Sequence, residues 1–404
     1  MPIPTAKDVS PVRNHLLSKF CPNNLSSGLI AAGLVAVLIR LAVFSFTAQH
    51  PIVADSGTLI SPSIESGTDI RFYQDWRNEI FAKFAGDNPA SHAGIKDRRM
   101  IPGPMFPALL FVFKYGPGNT WPLAVFFLVA GIGLCLSWLY WLHQQGLSTV
   151  SLMLFAFLPH PVYYMICLGT ELPFSVIFSV FFFSYFSKNQ NRKQVALWSS
   201  MLLLLLWTRP NALAVLAFVI IDQFKHHYGK IQLKKLPALL GFLFIGIISS
   251  AFFFSYFLKV FADASSFHYF GIPADRYIHG IFPLLPSGLN QACSVVALLG
   301  AKVLYFVGLR PSYSGVSLVY VLVRAIPGPL FLIGLFVLFA KGESRHKQLI
   351  MLFILPVLLT ASQDRYSVPI QPILFFYFAK AFDRMSLSRW KSATNPCPVN
   401  QFSL

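Results

Sequence analysis

The chain has 404 residues, of which 55% are hydrophobic and only 12% are charged, whereas a soluble globular domain carries roughly 25% charged residues. Several apolar runs approach the roughly 20 residues that a helix needs to cross a bilayer, which excludes a soluble protein and favours an all-α polytopic membrane protein. The net charge of +17 comes largely from Lys and Arg in short segments between apolar runs, a pattern typical of cytoplasmic loops rather than of a nucleic-acid-binding surface.

The five cysteines suggest neither a disulfide framework nor a zinc site, because no two of them form a CxxC pair. Cys135 and Cys167 lie inside apolar runs. The first apolar run is followed by no small-residue cleavage site, so we interpret it as an uncleaved span rather than a signal peptide.

The apolar runs predict about 10 to 12 helical segments that span or re-enter the membrane. The predicted spans are 27–46, 121–142, 150–169, 172–186, 195–207, 212–224, 236–261, 317–340, 347–361 and 367–381. The short Pro-rich piece 103–115 and the pair of short runs within 195–221 leave the number of crossings open, because each either crosses or re-enters.

The loops predict the orientation through their Lys and Arg content. The Lys/Arg-rich segments, predicted to be cytoplasmic, are the N-terminus, 187–194, 222–235, 341–347 and 380–391. The segments predicted to lie on the opposite side are a first external loop at 47–102, the junction at Glu171, a later external segment at 261–316, and 361–369.

The first external loop contains the charged stretch "SGTDIRFYQDWRNEIFAKF", residues 66–84. Phe72, Trp76 and Ile80 recur at helical spacing, which predicts an amphipathic helix lying along the membrane surface. Asp69 opens that helix, either as its N-terminal cap or as a functional carboxylate at the boundary between lipid and water.

The order of features along the chain is more specific than any single one. After the Asp that opens a helix in the first loop come "RRMIPGPMFPALLFVFKYGPGN" (98–119), "ICLGTELP" (166–173), "TRPN" (208–211) and "DRYSVPIQPILFFYFAK" (364–380). This succession resembles the membrane glycosyltransferases of the GT-C superfamily, in particular the bacterial branch similar to protein O-mannosyltransferases and to the aminoarabinose transferases of lipid A. The resemblance extends to about residue 385, which implies one GT-C-like transmembrane domain over 1–385 and a basic, polar cytoplasmic tail at 386–404.

The resemblance implies transfer of a sugar from a polyprenyl-phosphate carrier to a lipid, glycan or protein acceptor. It places the enzyme in the bacterial inner membrane, with the active site on the periplasmic side. An acid in the first external loop acts there as general base, and the matching residue is Asp69, with Tyr73 one turn further on. Asp75 in the same helix is the alternative acid.

The chemistry of the transfer also asks for cations that hold the leaving phosphate, for which arginine is well suited. The candidates are Arg98, Arg99, Arg209 and Arg365. Arg98 and Arg99 are equally explained by interfacial snorkelling. Arg209 also has the alternative of pairing with an acid such as Glu171.

Four further residues complete the predicted substrate site. Glu171 precedes a Leu-Pro pair at a span junction, either facing the cavity or favouring a helix start through the helix dipole. Tyr366 follows Arg365 at the mouth of a late span, and Lys302 either reaches a phosphate or snorkels. His268 lies in an aromatic stretch that suits a sugar or lipid platform. A divalent metal stays possible because His279 and Asp275 are near in sequence, but the spacing fits no zinc motif, and no cofactor is indicated.

Two other classes of membrane protein stay open. A transporter or flippase for a lipid or solute also carries buried charges, although no internal repeat is visible. An oligosaccharide polymerase or ligase usually has a large external loop late in the chain, and the segment 261–316 keeps that alternative open. The sequence has neither a Walker A motif nor a GxGxxG motif, which argues against a nucleotide-sugar donor.

Overall fold

A computed structural model describes residues 26–50, 52–53, 59–60, 105–115, 119–158, 169–187, 190–209, 211–227, 268–309, 318, 325–359 and 366–394. The α-helices are α1 (Ser27–Gln49), α2 (Met105–Val112), α3 (Trp121–Gln144), α4 (Thr149–Phe157), α5 (Glu171–Tyr185), α6 (Arg192–Thr208), α7 (Ala212–His227), α8 (Ala274–His279), α9 (Ser287–Phe306), α10 (Pro327–Lys341), α11 (Ser344–Leu359) and α12 (Gln371–Thr394). Two antiparallel hairpins pair β1 (Ile52–Val53) with β2 (Leu59–Ile60), and β3 (His268–Tyr269) with β4 (Ile272–Pro273).

The described residues are mainly helical, and three helices are long and apolar enough to cross a membrane: α1, α3 and α9. This confirms the prediction of a helical protein with apolar helices of membrane length. The hydroxyl of Ser26 starts α1 by accepting the Leu29 N–H at 3.2 Å, and Pro122 fits the first turn of α3, where no N–H partner is needed.

The helix α9 departs from the sequence prediction, which placed all of 261–316 in an external polar and aromatic segment. Ser287–Phe306 instead forms a 20-residue helix that is apolar enough to cross a membrane and has Lys302 as its only charged residue. Its face packs on the hairpin β3–β4 and on α8 through Tyr269, Tyr277 and Tyr305.

The short segment α2 has eight residues and is therefore about 12 Å long, too short to cross a bilayer. The helices α6 and α7 have 17 and 16 residues, and α6 packs mainly on α5 whereas α7 packs mainly on α11. In the predicted span 150–169, α4 ends at Phe157.

Side-chain contacts define two ends of the helix bundle. The proximal end is where α1 begins, with Gly28 against Thr149, and it also holds the start of α11 and the late part of α12. The distal end is where α1 ends: Phe44 contacts Trp121 with ring centroids 6.0 Å apart and shares a buried cluster with Leu172 and Val368.

The described parts of the Lys/Arg-rich segments lie at the proximal end. Gln190 donates to the carbonyl of Tyr185 at the end of α5, Arg345 pairs with Asp222, and Asp383 accepts from Ser148. The described parts of these segments therefore share one end of the bundle, whereas the N-terminal segment before residue 26 lies outside the described residues.

Candidate functional site

The junction between α5 and α6 at the distal end holds a partly buried ion pair. Glu171 is the first residue of α5, and Arg209 caps the end of α6 with an extended backbone (φ −153°, ψ 148°). Arg209 Nη2 lies 2.9 Å from Glu171 Oε1, with side chains only 13% and 7% exposed, respectively. A carboxylate is favoured at this position by the α5 dipole as well as by the guanidinium.

Tyr366 brings a third part of the chain to this pair. The guanidinium carbon of Arg209 lies 5.5 Å from the centroid of the Tyr366 ring, within cation–π range. Tyr366 precedes buried Ser367, whose hydroxyl oxygen accepts from Gln371 Nε2 at 2.8 Å. Glu171, Arg209 and Tyr366, three predicted site residues far apart in the sequence, thus lie close together.

The polypeptide around this group is fixed by its own hydrogen bonds. The Arg209 N–H donates to the Leu205 carbonyl at 3.1 Å, and the Arg209 carbonyl accepts from the Ala212 N–H at 3.1 Å. The backbone of Arg209 is therefore hydrogen-bonded both to α6 before it and to α7 after it. Glu171 and Tyr366 orient its side chain.

Lys302 and His268 belong to a second location. Lys302, 5% exposed, donates from Nζ to the Leu358 carbonyl at 2.6 Å and lies 5.8 Å from the Tyr269 ring centroid. That carbonyl belongs to the last turn of α11, so the cation satisfies a helix C-terminus. His268 is exposed on β3, beside Tyr269.

The remaining predicted site residues lie outside the described residues. These are Asp69, Tyr73, Arg98, Arg99 and Arg365. The flanking helices show only where their loop is attached: α1 ends at the distal end, and α2 packs there through Phe106, which shares a cluster with Phe44.

The sequence analysis missed a polar cluster at the proximal end. Arg345 donates from Nε and Nη2 to both oxygens of Asp222 at 2.7–3.2 Å, and the Tyr185 hydroxyl donates to the same carboxylate at 2.8 Å. Asp222 is 3% exposed. The cluster ties together α5, α7 and α11, and the acid in the apolar run "VIIDQF" was its signal in the sequence.

A second residue that escaped the sequence analysis is Arg40, at the middle of α1 and only 1% exposed. Its signal was an ionisable residue inside an apolar span, a functional candidate by default. Arg40 lines a cavity that also touches Leu172, which follows Glu171 in the sequence, and Val368, two residues after Tyr366.

Metal ligands are not gathered in the part of the chain that the structure describes, where no group of three His, Cys, Asp or Glu side chains could hold an ion. The two described cysteines, Cys135 and Cys293, are both free thiols.

Comparisons with protein-family models, with curated proteins and with solved structures find no match to this chain. The functional assignment therefore rests on the arrangement of residues at the distal end and on the order of motifs along the sequence.

Proposed function

We propose that this protein is a membrane glycosyltransferase that moves a sugar from a polyprenyl-phosphate carrier to a lipid, glycan or protein acceptor. The observation that carries the proposal is the convergence of Glu171, Arg209 and Tyr366 at the distal end. The proposed domain is a multi-pass bundle of the GT-C type in a bacterial inner membrane, with its distal end toward the periplasm.

Arg209 is the proposed phosphate-binding cation. A guanidinium keeps its charge and matches the oxygens of a phosphate with a planar set of donors. A catalytic cation works best when it is already oriented before charge develops on the leaving group, and Glu171 and Tyr366 orient Arg209. In this role Glu171 is a positioning residue.

Asp69 is the proposed general base that takes the proton of the acceptor hydroxyl. The chain leaves α1 at the distal end and returns in α2 at the same end, so both attachments of the loop that carries Asp69 share the end of Arg209. The remaining predicted residues Arg98, Arg99 and Arg365 are proposed to hold the carrier phosphate with Arg209. Tyr73 and His268 are proposed to contact the sugar or acceptor, whereas the ammonium of Lys302 is held by the Leu358 carbonyl and has no part in the proposed site.

The test uses the full chain in proteoliposomes with polyprenyl-phosphate mannose or aminoarabinose as donor and a cell-envelope extract as acceptor. Mass spectrometry follows the release of polyprenyl phosphate. We expect turnover by the wild type, none by Asp69→Asn, and a raised donor requirement in Arg209→Ala, whereas Arg384→Ala, a change at an exposed cation, behaves as wild type.

The competing function is transport of the lipid-linked sugar. If the donor is never cleaved but appears in the opposite leaflet of the vesicles, the protein is a flippase and the transferase proposal is wrong. If Asp69→Asn cleaves the donor at the wild-type rate, Asp69 is not the general base.

A further inference from the structure

Arg40 is a buried cation in the centre of the first span. Its side chain is 1% exposed, and Nη1 donates to the carbonyl of Ala36, one turn earlier in α1, at 2.9 Å. Nη2 is fully enclosed and has no hydrogen-bond acceptor within reach among the described residues. The guanidinium stays protonated even here, because arginine does not lose its proton in proteins.

Among the described residues, Arg40 has no counter-charge in its surroundings. Its cavity is walled by apolar side chains together with Cys135, Trp138, Ser175 and Ser179, and none of the described residues lining it is acidic. An uncompensated charge in such an interior is very costly, so buried charges in proteins are paired.

Glu171 is the nearest acid along α5, and it is bound to Arg209. Two hydrogen bonds follow Glu171 along α5, and we call these two bonds the seam. The Ser175 hydroxyl donates to the Glu171 carbonyl, and the Ser179 hydroxyl donates to the Ser175 carbonyl, each at 2.7 Å. The seam supplies polar atoms beside Arg40 but no negative charge.

The size of the cavity selects the class of ligand. It measures about 20 Å³, room for about one water molecule. A chloride ion is a single atom not much wider than a water molecule, whereas sulfate and phosphate each carry four oxygens around a central atom. Water alone would satisfy Nη2 but leave the charge unbalanced.

We propose that this cavity binds one monovalent halide, chloride under cellular conditions, as the counter-ion of Arg40. The Nη2 group donates to the ion. The Cys135 thiol, which lies beside the guanidinium, is a weak second donor, and the hydroxyls of Ser175 and Ser179 turn from their carbonyls to donate as needed. The site is independent of the proposed transferase activity, since it needs no sugar or lipid carrier.

The first experiment measures the thermal unfolding midpoint of the full chain in an uncharged detergent. Chloride or bromide replaces gluconate at constant ionic strength and pH. We expect a saturable rise of roughly 2–5 °C with either halide, because a ligand that binds only the folded state stabilises it by mass action. A midpoint that does not respond, or that rises without saturation, overturns the proposal.

The second experiment compares two variants that each replace one arginine by methionine. Arg40→Met is expected to abolish the halide response, whereas Arg192→Met, at an exposed arginine, keeps it. A full halide response in Arg40→Met contradicts the site.

If Arg40→Met does not fold, wild-type crystals grown in bromide and measured at the bromine absorption edge decide the question. An anomalous peak within hydrogen-bond distance of Arg40 supports the site, and its absence overturns the proposal.

Discussion

Arg209 shows how one side chain is held by groups far apart in sequence. Glu171 approaches it from the start of α5, and Tyr366 approaches from the segment before α12. The pair is largely withdrawn from solvent, with side-chain exposures of 13% and 7%, so removing one partner leaves the other charge poorly compensated. The two residues therefore form one energetic unit.

A double-mutant cycle tests that unit. We expect Glu171→Gln and Arg209→Met each to destabilise the protein, and the double variant to lose less than the sum, with a coupling energy of about 1–3 kcal/mol. Equilibrium unfolding in mixed detergent measures the free energies. Strict additivity would show that the side chains act separately, in spite of the 2.9 Å distance between them.

His346 makes the stability of the proximal end dependent on pH. It lies in the first turn of α11, before the predicted span 347–361, and stacks on Phe182 with ring centroids 5.6 Å apart. Burial lowers its pKa from 6.5 to about 4, which Glu343 opposes and which Arg345 and Lys380 reinforce.

The sign of the pH effect follows from that lowered pKa. Between pH 6.5 and 4 the unfolded chain takes up a proton at His346 that the folded chain does not. The contribution of neutral His346 to the stability is therefore complete above pH 6.5 and is lost as the pH drops toward 4, by about 3 kcal/mol. Unfolding midpoints over that range are expected to fall less steeply in His346→Gln, with His279→Gln as the matched change at an exposed histidine. Equal slopes in wild type and His346→Gln would contradict this origin.

At the residue scale, site residues could be predicted from the sequence where a charged residue interrupts an apolar run. Glu171 and Arg209 could be predicted because each interrupts an apolar run at a helix boundary, and the sequence also allowed for a pairing between them. Arg40 and Asp222 interrupt apolar runs as well, but Arg345, which pairs with Asp222, is 123 residues away in the sequence. Pairing at that distance cannot be deduced from spacing.

At the scale of elements, close helix packing depends on glycines. In α10, a Cβ on Gly334 would overlap the backbone carbonyl of Leu374 in α12, which cannot swing aside as a side chain could. Small residues permit such close approach of helix backbones in membranes. By contrast, a Cβ on Gly133 in α3 would have no other atom within 4 Å.

We expect Gly334→Ala to destabilise the protein by about 1–3 kcal/mol, because α10 and α12 must move apart. Gly133→Ala is the matched control and is expected to be neutral or stabilising by up to about 1 kcal/mol, since alanine favours the helix. Unfolding midpoints of the two variants decide this, and equal effects would mean that the α10–α12 contact tolerates a methyl group.

Element boundaries were predictable only where apolar runs were long and uninterrupted. The run 27–46 corresponds to α1, and 121–142 to α3. In α9 the polar residues near its start and Lys302 near its end concealed a 20-residue helix whose cation is satisfied by the Leu358 carbonyl. Because α11 supplies a hydrogen-bond acceptor for Lys302, burying this cation in α9 costs less free energy than the sequence of α9 alone would suggest.

At the scale of the whole molecule, the described charged side chains that form ion pairs lie in two groups at opposite ends of the bundle. Arg345, Asp222 and Asp383 cluster at the proximal end, while the distal end holds the Glu171–Arg209 pair. Basic segments that gather at one end of a helical bundle match the rule that Lys and Arg stay on the cytoplasmic side. The proposed orientation therefore places the proximal end in the cytoplasm and the candidate site outside.

Accessibility of engineered cysteines tests this orientation. In a background with all five native cysteines replaced by serine, Asn119→Cys places a thiol at an exposed distal position and Gln145→Cys at an exposed proximal one. We expect a maleimide that cannot cross membranes to label Asn119→Cys in intact spheroplasts and Gln145→Cys only after lysis. If instead Gln145→Cys is labelled in intact spheroplasts and Asn119→Cys only after lysis, the orientation in the membrane is the opposite one. Arg209 would then face the cytoplasm, where a carrier presented in the outer leaflet cannot reach it. Labelling of both thiols in intact spheroplasts would contradict a bundle with its two ends on opposite sides of the membrane.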